Sequence, residues 1–286
     1  NLYREDILKK AGITEAPTTW EEYATAAEAV KSKTGSYISN LGATQAGQLI
    51  GFFWQRGIKP FGYDGKETVS IDVNSTEAKE VAAYWTDLIQ RDLVSTDVDF
   101  NDQWYQGLAS GKYAGWLTAA WGPVFLQGTA EGTSGLWRAA PLPQWDAGSQ
   151  VSGNWGGSSD AVLASSENKI AAAELAKFIN HDEESAMMLA TEQFFFPPQN
   201  SVLEDPAFLD ATSEFYGGQQ VNKLFADISQ TVDTDFQWLP FMEYVYSSYE
   251  ETLGTVIADK GDIAAALDTW QDQLVSYAKD QGFTVK

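Results

Sequence analysis

The sequence contains no cysteine and a single histidine, His181. Without thiols there is no disulfide framework, zinc-thiolate site, iron–sulfur cluster or cysteine nucleophile. One histidine rules out a two-histidine metal site within the chain, and a histidine-based triad would have to run through His181. Positive charge is also scarce: 18 Lys and Arg stand against 40 Asp and Glu, a formal net charge of −22. A surface of that sign repels a phosphate backbone or an anionic membrane face, so nucleic acid is not an expected partner. No apolar run is long enough to span a bilayer as a helix, and the first residues carry no signal-peptide pattern. Internal repeats and low-complexity segments are absent.

What is plentiful is aromatic surface: 11 Trp, 12 Tyr and 15 Phe. Flat amphipathic rings suit uncharged, partly apolar ligands. With 286 residues, 44% of them hydrophobic and 20% charged, the chain has the make-up of a globular protein of one large or two ordinary domains.

Local signals divide the chain into short elements. Glu5 to Lys10 reads as a helix stopped by Gly12, and Thr18-Thr19 before Trp20-Glu21-Glu22 predicts an N-capped helix to about Ser32. An apolar stretch at Leu49 to Trp54 and a turn at Tyr63 to Lys66 precede Val69 to Val73, which alternates like a strand. Asn74-Ser75 caps a helix to about Arg91, and a short helix from Asp102 to Ser110 leads into a strand signal over Gly111 to Leu117. Apolar Ala161 to Ala164 precedes an alanine-rich helix, Glu167 to Ile179. From about Pro206 to Lys279 the pattern is mostly helical, with breaks at Gly217-Gly218 and Gln237 to Pro240. Alternating strands and helices predict an α/β fold.

Motifs for metal or catalytic chemistry fail one by one. His181-Asp182-Glu183-Glu184 lacks the second histidine of a zincin, and Asp97 to Asn101 lacks the glycine and terminal glutamate of an EF-hand. Gly153 to Gly157 has neither a following lysine nor dinucleotide-fold spacing, and reads as a tight backbone turn. There is no G-x-S-x-G elbow. No metal, cofactor or catalytic residue is expected, although 40 acidic residues leave a glycosidase-type carboxylate pair open.

The tryptophans divide by context. Trp20, Trp85 and Trp270 lie in helical patterns beside apolar neighbours and read as core. Trp121, Trp155 and Trp238 each adjoin a glycine- or proline-containing turn, where a ring can project into a cleft, and Phe195 shares that setting. A sugar ring offers an apolar face to stack on indole, while its hydroxyls need polar partners in the same plane. Asn154, Gln45 and Gln48 are candidates for that role.

Tyr3 to Ile13 followed by Pro17 to Glu22 resembles a segment of family 1 extracellular solute-binding proteins of ABC sugar importers, the maltose-binding-protein-like family. The resemblance continues through Leu108 to Ala114, Gly156 to Ser159, Ala176 to Ile179, Phe196 to Asn200 and the helical tail to Lys279, covering essentially the whole chain. It implies a type II periplasmic-binding-protein fold of two α/β lobes and a hinge, starting here after the N-terminal β-α-β segment. Residues 1–153 would then form the second lobe, 154–201 a returning segment of the first, and 202–286 a helical part packing back on the second. The implied function is capture of an oligosaccharide by a monomer outside the cytoplasmic membrane, lipid-anchored from outside this chain or periplasmic, and delivery to an ABC permease, with no bond broken. By that resemblance Trp121 falls where the family places a sugar-stacking tryptophan, Trp155 abuts the Gly-Gly crossover beside the cleft, Trp238 sits near another family stacking position, and Gln45 and Gln48 fall near a polar-aromatic contact loop. A glycoside-active enzyme and a binder of a non-sugar solute are the alternatives.

Overall fold

The computed structural model describes residues 1–286. The elements run β1 (Leu2–Arg4), α1 (Glu5–Lys10), α2 (Trp20–Thr34), β2 (Ser39–Asn40), α3 (Ala46–Gln55), β3 (Phe61–Tyr63), β4 (Thr68–Ile71), α4 (Thr76–Gln90), β5 (Val94–Ser95), α5 (Asp102–Ser110), β6 (Gly115–Trp116), α6 (Gly122–Thr129) and β7 (Trp137–Ala139). Helices dominate the remainder: α7 (Lys169–His181), α8 (Glu183–Glu192), α9 (Asn200–Leu203), α10 (Pro206–Leu209), α11 (Val221–Ser229), α12 (Met242–Tyr249), α13 (Thr255–Ala258) and α14 (Ile263–Asp280), before a final strand β8 (Thr284–Val285). A π-helical turn, Glu250–Gly254, joins α12 to α13. No helix is long and apolar enough to cross a membrane.

The strands form three small sheets. In one, β1 lies between β6 and β7, antiparallel to both, with Leu2 opposite Trp116 and Ala139. β2 and β5 are parallel, pairing Ser39 with Val94. In the third, β4 pairs antiparallel with β3 and parallel with β8, so the end of the chain closes a sheet begun more than 200 residues earlier.

The main core lies among α2, α3, α4 and the helices from α12 to α14. Its centre is aromatic: Phe52 and Trp85 stack at 4.7 Å, and Trp20 meets Phe52, Tyr23, Tyr84 and Trp85 edge-on. Trp270 of α14 is fully buried and donates its indole N–H to Ser248 Oγ at 3.0 Å. These are the tryptophans whose helical settings predict core positions.

Local capping follows the sequence closely at α2. Thr19 Oγ1 accepts the Glu22 N–H at 3.1 Å, and Glu22 Oε2 accepts the Thr19 N–H in return, at 3.3 Å. Thr19→Ala removes one half of this reciprocal pair and is expected to cost about 1 kcal/mol, read as a lowered midpoint in urea unfolding. An unchanged midpoint would show that the helix start is held by packing of Trp20 alone.

One strand expectation shrinks on contact with the structure. Over Gly111 to Leu117 only Gly115–Trp116 joins a ladder, because Gly111 ends α5 in the left-handed region (φ 81°). Lys112 and Ala114 bond instead to Tyr37, in an isolated bridge. Ala161 to Ala164 pairs with nothing and is exposed. The stretch beyond it also stands apart from the main core: α7 has no buried residue, and α8, α9 and α10 share a small cluster of Ala186, Ala190, Val202 and Phe208.

Candidate functional site

The surface of α3 explains how distant residues meet. Gly47 and Gly51, four residues apart and therefore on one face of the helix, leave a track free of side chains. Segment 153–155 lies along it: the Trp155 ring occupies the space a Cβ on Gly47 would need, and the Asn154 carbonyl sits 3.1 Å from the corresponding position on Gly51. Gly153 in turn presses against the Gly51 carbonyl, leaving no room for a side chain there. Close approach of two backbones is what glycine permits and any larger residue prevents.

This track places Trp155 against Trp121, which immediately precedes α6. The rings meet edge-to-face at 5.2 Å, and the Trp121 indole N–H donates to the Trp155 carbonyl at 2.7 Å. Phe100 completes a triangle, with its ring 6.0 Å from Trp121 and 6.1 Å from Trp155. All three are half-buried, backed by the buried Trp104 and Trp116. The result is a rigid aromatic wall with part of its surface free. Phe100 adopts φ 57°, a conformation uncommon for a bulky side chain and of the kind that clusters at binding sites. No motif in the sequence marks Phe100, because its role depends on rings that are neighbours only in space.

Other expected site residues fall elsewhere. Trp238 joins a second aromatic group, with Trp54 and Phe236 stacked at 4.0 Å and Trp238 edge-on to both. Trp54 lies seven residues beyond Gly47 on the same face of α3, about 10 Å along the helix axis, and its group makes no ring contact with the wall. Phe195 is 53% exposed and touches no other ring, while its neighbour Phe194 packs toward the cluster behind the wall. The Asn154 side chain is exposed beside the wall. Gln45, half-buried, donates to Thr44 Oγ1 at 3.5 Å at the start of α3.

Gln48 is a correction. It is buried, its amide nitrogen donates to the Asn40 and Leu117 carbonyls, and its oxygen accepts the Gly42 N–H. Its hydrogen-bonding groups are engaged with main chain, so Gln48 shapes the loop before α3 and does not face a ligand. Residue spacing along the chain does not reveal this role, because the partners of Gln48 come from the preceding strand and loop and from Leu117, 69 residues away.

Asp99, directly before Phe100, is 6% exposed. Its Oδ1 accepts from Thr44 Oγ1 at 3.3 Å, and burial raises its pKa to about 6 against the weaker opposing effects of its own backbone N–H and the Thr44 hydroxyl. No three His, Cys, Asp or Glu side chains converge as metal ligands. An open crevice of about 730 Å³ elsewhere is lined by Arg4, Lys33 and Lys112. Those cations are committed: Arg4 to Asp6 and the Ala109 carbonyl, Lys33 to the Ala11 carbonyl, Lys112 to Asp97.

An apolar wall with polar groups at its edge is an arrangement suited to holding a ligand. Known proteins agree with that chemistry. The chain is 23% identical over 239 residues to the arabinooligosaccharide-binding protein of Halalkalibacterium halodurans, covering 81% of this chain and 53% of that one. It is 26% identical over 233 residues to the lactose-binding protein of Rhizobium radiobacter, covering 79% and 53%. The chain thus spans about half the length of these two relatives. Among solved structures, an ABC transporter associated binding protein from B. animalis subsp. lactis, in complex with β-1,6-galactobiose, superposes with a TM-score of 0.92 at 30% identity, over 100% of this chain and 72% of that one. The fold is therefore of the type II periplasmic-binding-protein class, here rich in helix. Residues 2–186 also match the profile of a family described as bacterial extracellular solute-binding protein. Sequence profile and three-dimensional likeness converge over most of the molecule, and the chain belongs to the bacterial extracellular solute-binding protein family.

Proposed function

We propose that this chain captures a neutral oligosaccharide against the Phe100–Trp121–Trp155 wall, for delivery to the permease of an ABC importer outside the cytoplasmic membrane. The observation that carries the reading is the wall itself: three half-buried rings, two of them locked by the Trp121–Trp155 hydrogen bond. Indole faces match the apolar faces of sugar rings, and rigid aromatics order at low entropic cost. The net charge of −22 disfavours anionic ligands. The relatives whose names specify arabinooligosaccharide, lactose and β-1,6-galactobiose support a ligand of two or more sugar units. Binding without bond cleavage, by a monomer held at the surface through a lipid anchor or free in a periplasm, belongs to the same reading.

The proposal extends to organisation. Residues 1–153 and 202–286 would belong to one lobe, and 154–201 to the other. Support comes from α7, whose Ile170, Leu175 and Phe178 are 83%, 58% and 55% exposed. An apolar face of that size on a helix with no buried residue fits an element that packs within a different lobe.

Intrinsic tryptophan fluorescence, titrated with β-1,6-galactobiose, lactose and arabino-oligosaccharides, tests the function directly, because the proposed contacts are fluorophores. A saturable change with one of these neutral sugars, and no new reducing ends after prolonged incubation, is the expected result. No response from any of them, with the fold verified by circular dichroism, overturns the oligosaccharide reading. New reducing ends would make the protein a glycoside-active enzyme.

A further inference from the structure

We propose that the Asp99 carboxylate is the hydrogen-bond acceptor for ligand hydroxyls at the foot of the aromatic wall, so that binding depends on its ionisation. The inference rests on the oligosaccharide reading and assigns that site its polar anchor. A buried carboxylate is stable when two or three donors satisfy its oxygens. Asp99, 94% buried by its 6% exposure, has its own backbone N–H and one long bond from the Thr44 hydroxyl at 3.3 Å. No lysine or arginine pairs with it, and Lys112 is bound to Asp97. The ionisable groups that face Asp99 are Tyr105 of α5 and Tyr249 at the end of α12, and both have their pKa raised, first by burial and then by the Asp99 charge. Both therefore stay neutral at physiological pH. Thr44 supplies the one side-chain hydrogen bond to the carboxylate, the Tyr249 hydroxyl makes none, and a pair of adjacent sugar hydroxyls supplies two donors without bringing a charge.

The surrounding backbone is built around that carboxylate. It lies against Gly42, in the space a Cβ would need, while five residues on, Gly47 receives the Trp155 ring. The loop from Gly42 to Gly47 thus holds the acid at one end and the aromatic wall at the other. Phe100, part of the wall, is the next residue after Asp99. Behind the loop, Gly254 of the π-helical turn leaves no room for a side chain against the Ala43 carbonyl. π-Turns of this kind recur at functional sites.

The test compares wild type, Asp99→Asn and the control Asp97→Asn, by calorimetric titration with the sugar giving the strongest fluorescence change and by thermal unfolding without sugar. The folded-state pKa of Asp99 is raised to about 6, above the roughly 3.9 of an unfolded aspartate. Its ionisation therefore lowers stability progressively as pH rises from about 4 to about 6, and fully above that range. Removing the charge should raise the melting temperature of unliganded Asp99→Asn by roughly 2–4 °C at pH 7.5, a gain that shrinks at pH 5. The same variant should lose at least tenfold in affinity at pH 7.5. Wild-type affinity should fall about tenfold from pH 7.5 to pH 5, and Asp99→Asn should lack that dependence. Wild-type binding that survives unchanged in Asp99→Asn overturns this inference and leaves the oligosaccharide reading standing. A lowered melting temperature accompanying lost affinity makes Asp99 a structural carboxylate and also overturns it. A wild type that binds none of the sugars overturns both.

Discussion

Trp121→Ala is expected to weaken oligosaccharide binding by tenfold to a hundredfold, about 1.4–3 kcal/mol, measured by calorimetric titration. Two losses combine. The variant removes an indole face from the wall, and it removes the N–H that holds the Trp155 carbonyl at 2.7 Å. Without that bond the 153–155 segment is still guided by the glycine track on α3, but the Trp155 ring loses its edge-to-face partner at 5.2 Å. Trp121→Phe separates the two contributions, keeping a ring while deleting the donor, and should fall between wild type and alanine. Trp238→Ala is the contrast. Its ring packs on Trp54 and Phe236, at the other end of α3, and its removal should change affinity by less than threefold. Equal losses from Trp121→Ala and Trp238→Ala would extend the binding surface from the wall to the Trp54 group.

Trp85→Ala should produce the largest loss of stability, about 3–5 kcal/mol, seen as a lowered urea midpoint with an unchanged slope. Trp85 is 1% exposed, stacks on Phe52 at 4.7 Å and meets Trp20 and Tyr84 edge-on at 5.6 and 5.5 Å. Truncation would leave a large apolar void between α3 and α4, which close-packed neighbours fill only in part. The Trp85 indole N–H is buried without an acceptor, so Trp85→Phe removes an unsatisfied donor as it shrinks the ring and should cost much less than alanine. Sugar affinity of the folded fraction should be unaffected, since the residue lies in the core and away from the wall. A loss below about 1 kcal/mol for Trp85→Ala would mean that the aromatic centre of the core is redundant.

The two tryptophans differ in how far the sequence alone reveals their roles. Trp85 sits in an amphipathic helix with apolar neighbours at helical spacing, and that period is set within a few turns of chain, so its burial is legible directly. The same holds for Trp20 and for the Thr19 cap, whose partners are three residues away. Absences are equally legible: no thiol and one histidine bound the chemistry whatever the fold. The ordered motifs from Tyr3 to Lys279 carry the family resemblance, because a family's local signals recur at its own spacing.

Only the tertiary structure decided which aromatic residues share a surface. Trp121, Trp155 and Trp238 look alike in sequence, each beside a turn, yet the first two meet and the third joins Trp54. The physical reason is the glycine face of α3: Gly47 and Gly51 allow a backbone segment more than 100 residues distant to lie against the helix, and that apposition aims Trp155 at Trp121. Burial of the Gln48 amide against Asn40, Gly42 and Leu117, the half-buried position of Gln45 at the start of the same helix, and the donor-poor setting of Asp99 have the same origin. Hydrogen-bond partners and desolvation are properties of what surrounds a side chain, and for these residues most of the surroundings come from distant parts of the sequence.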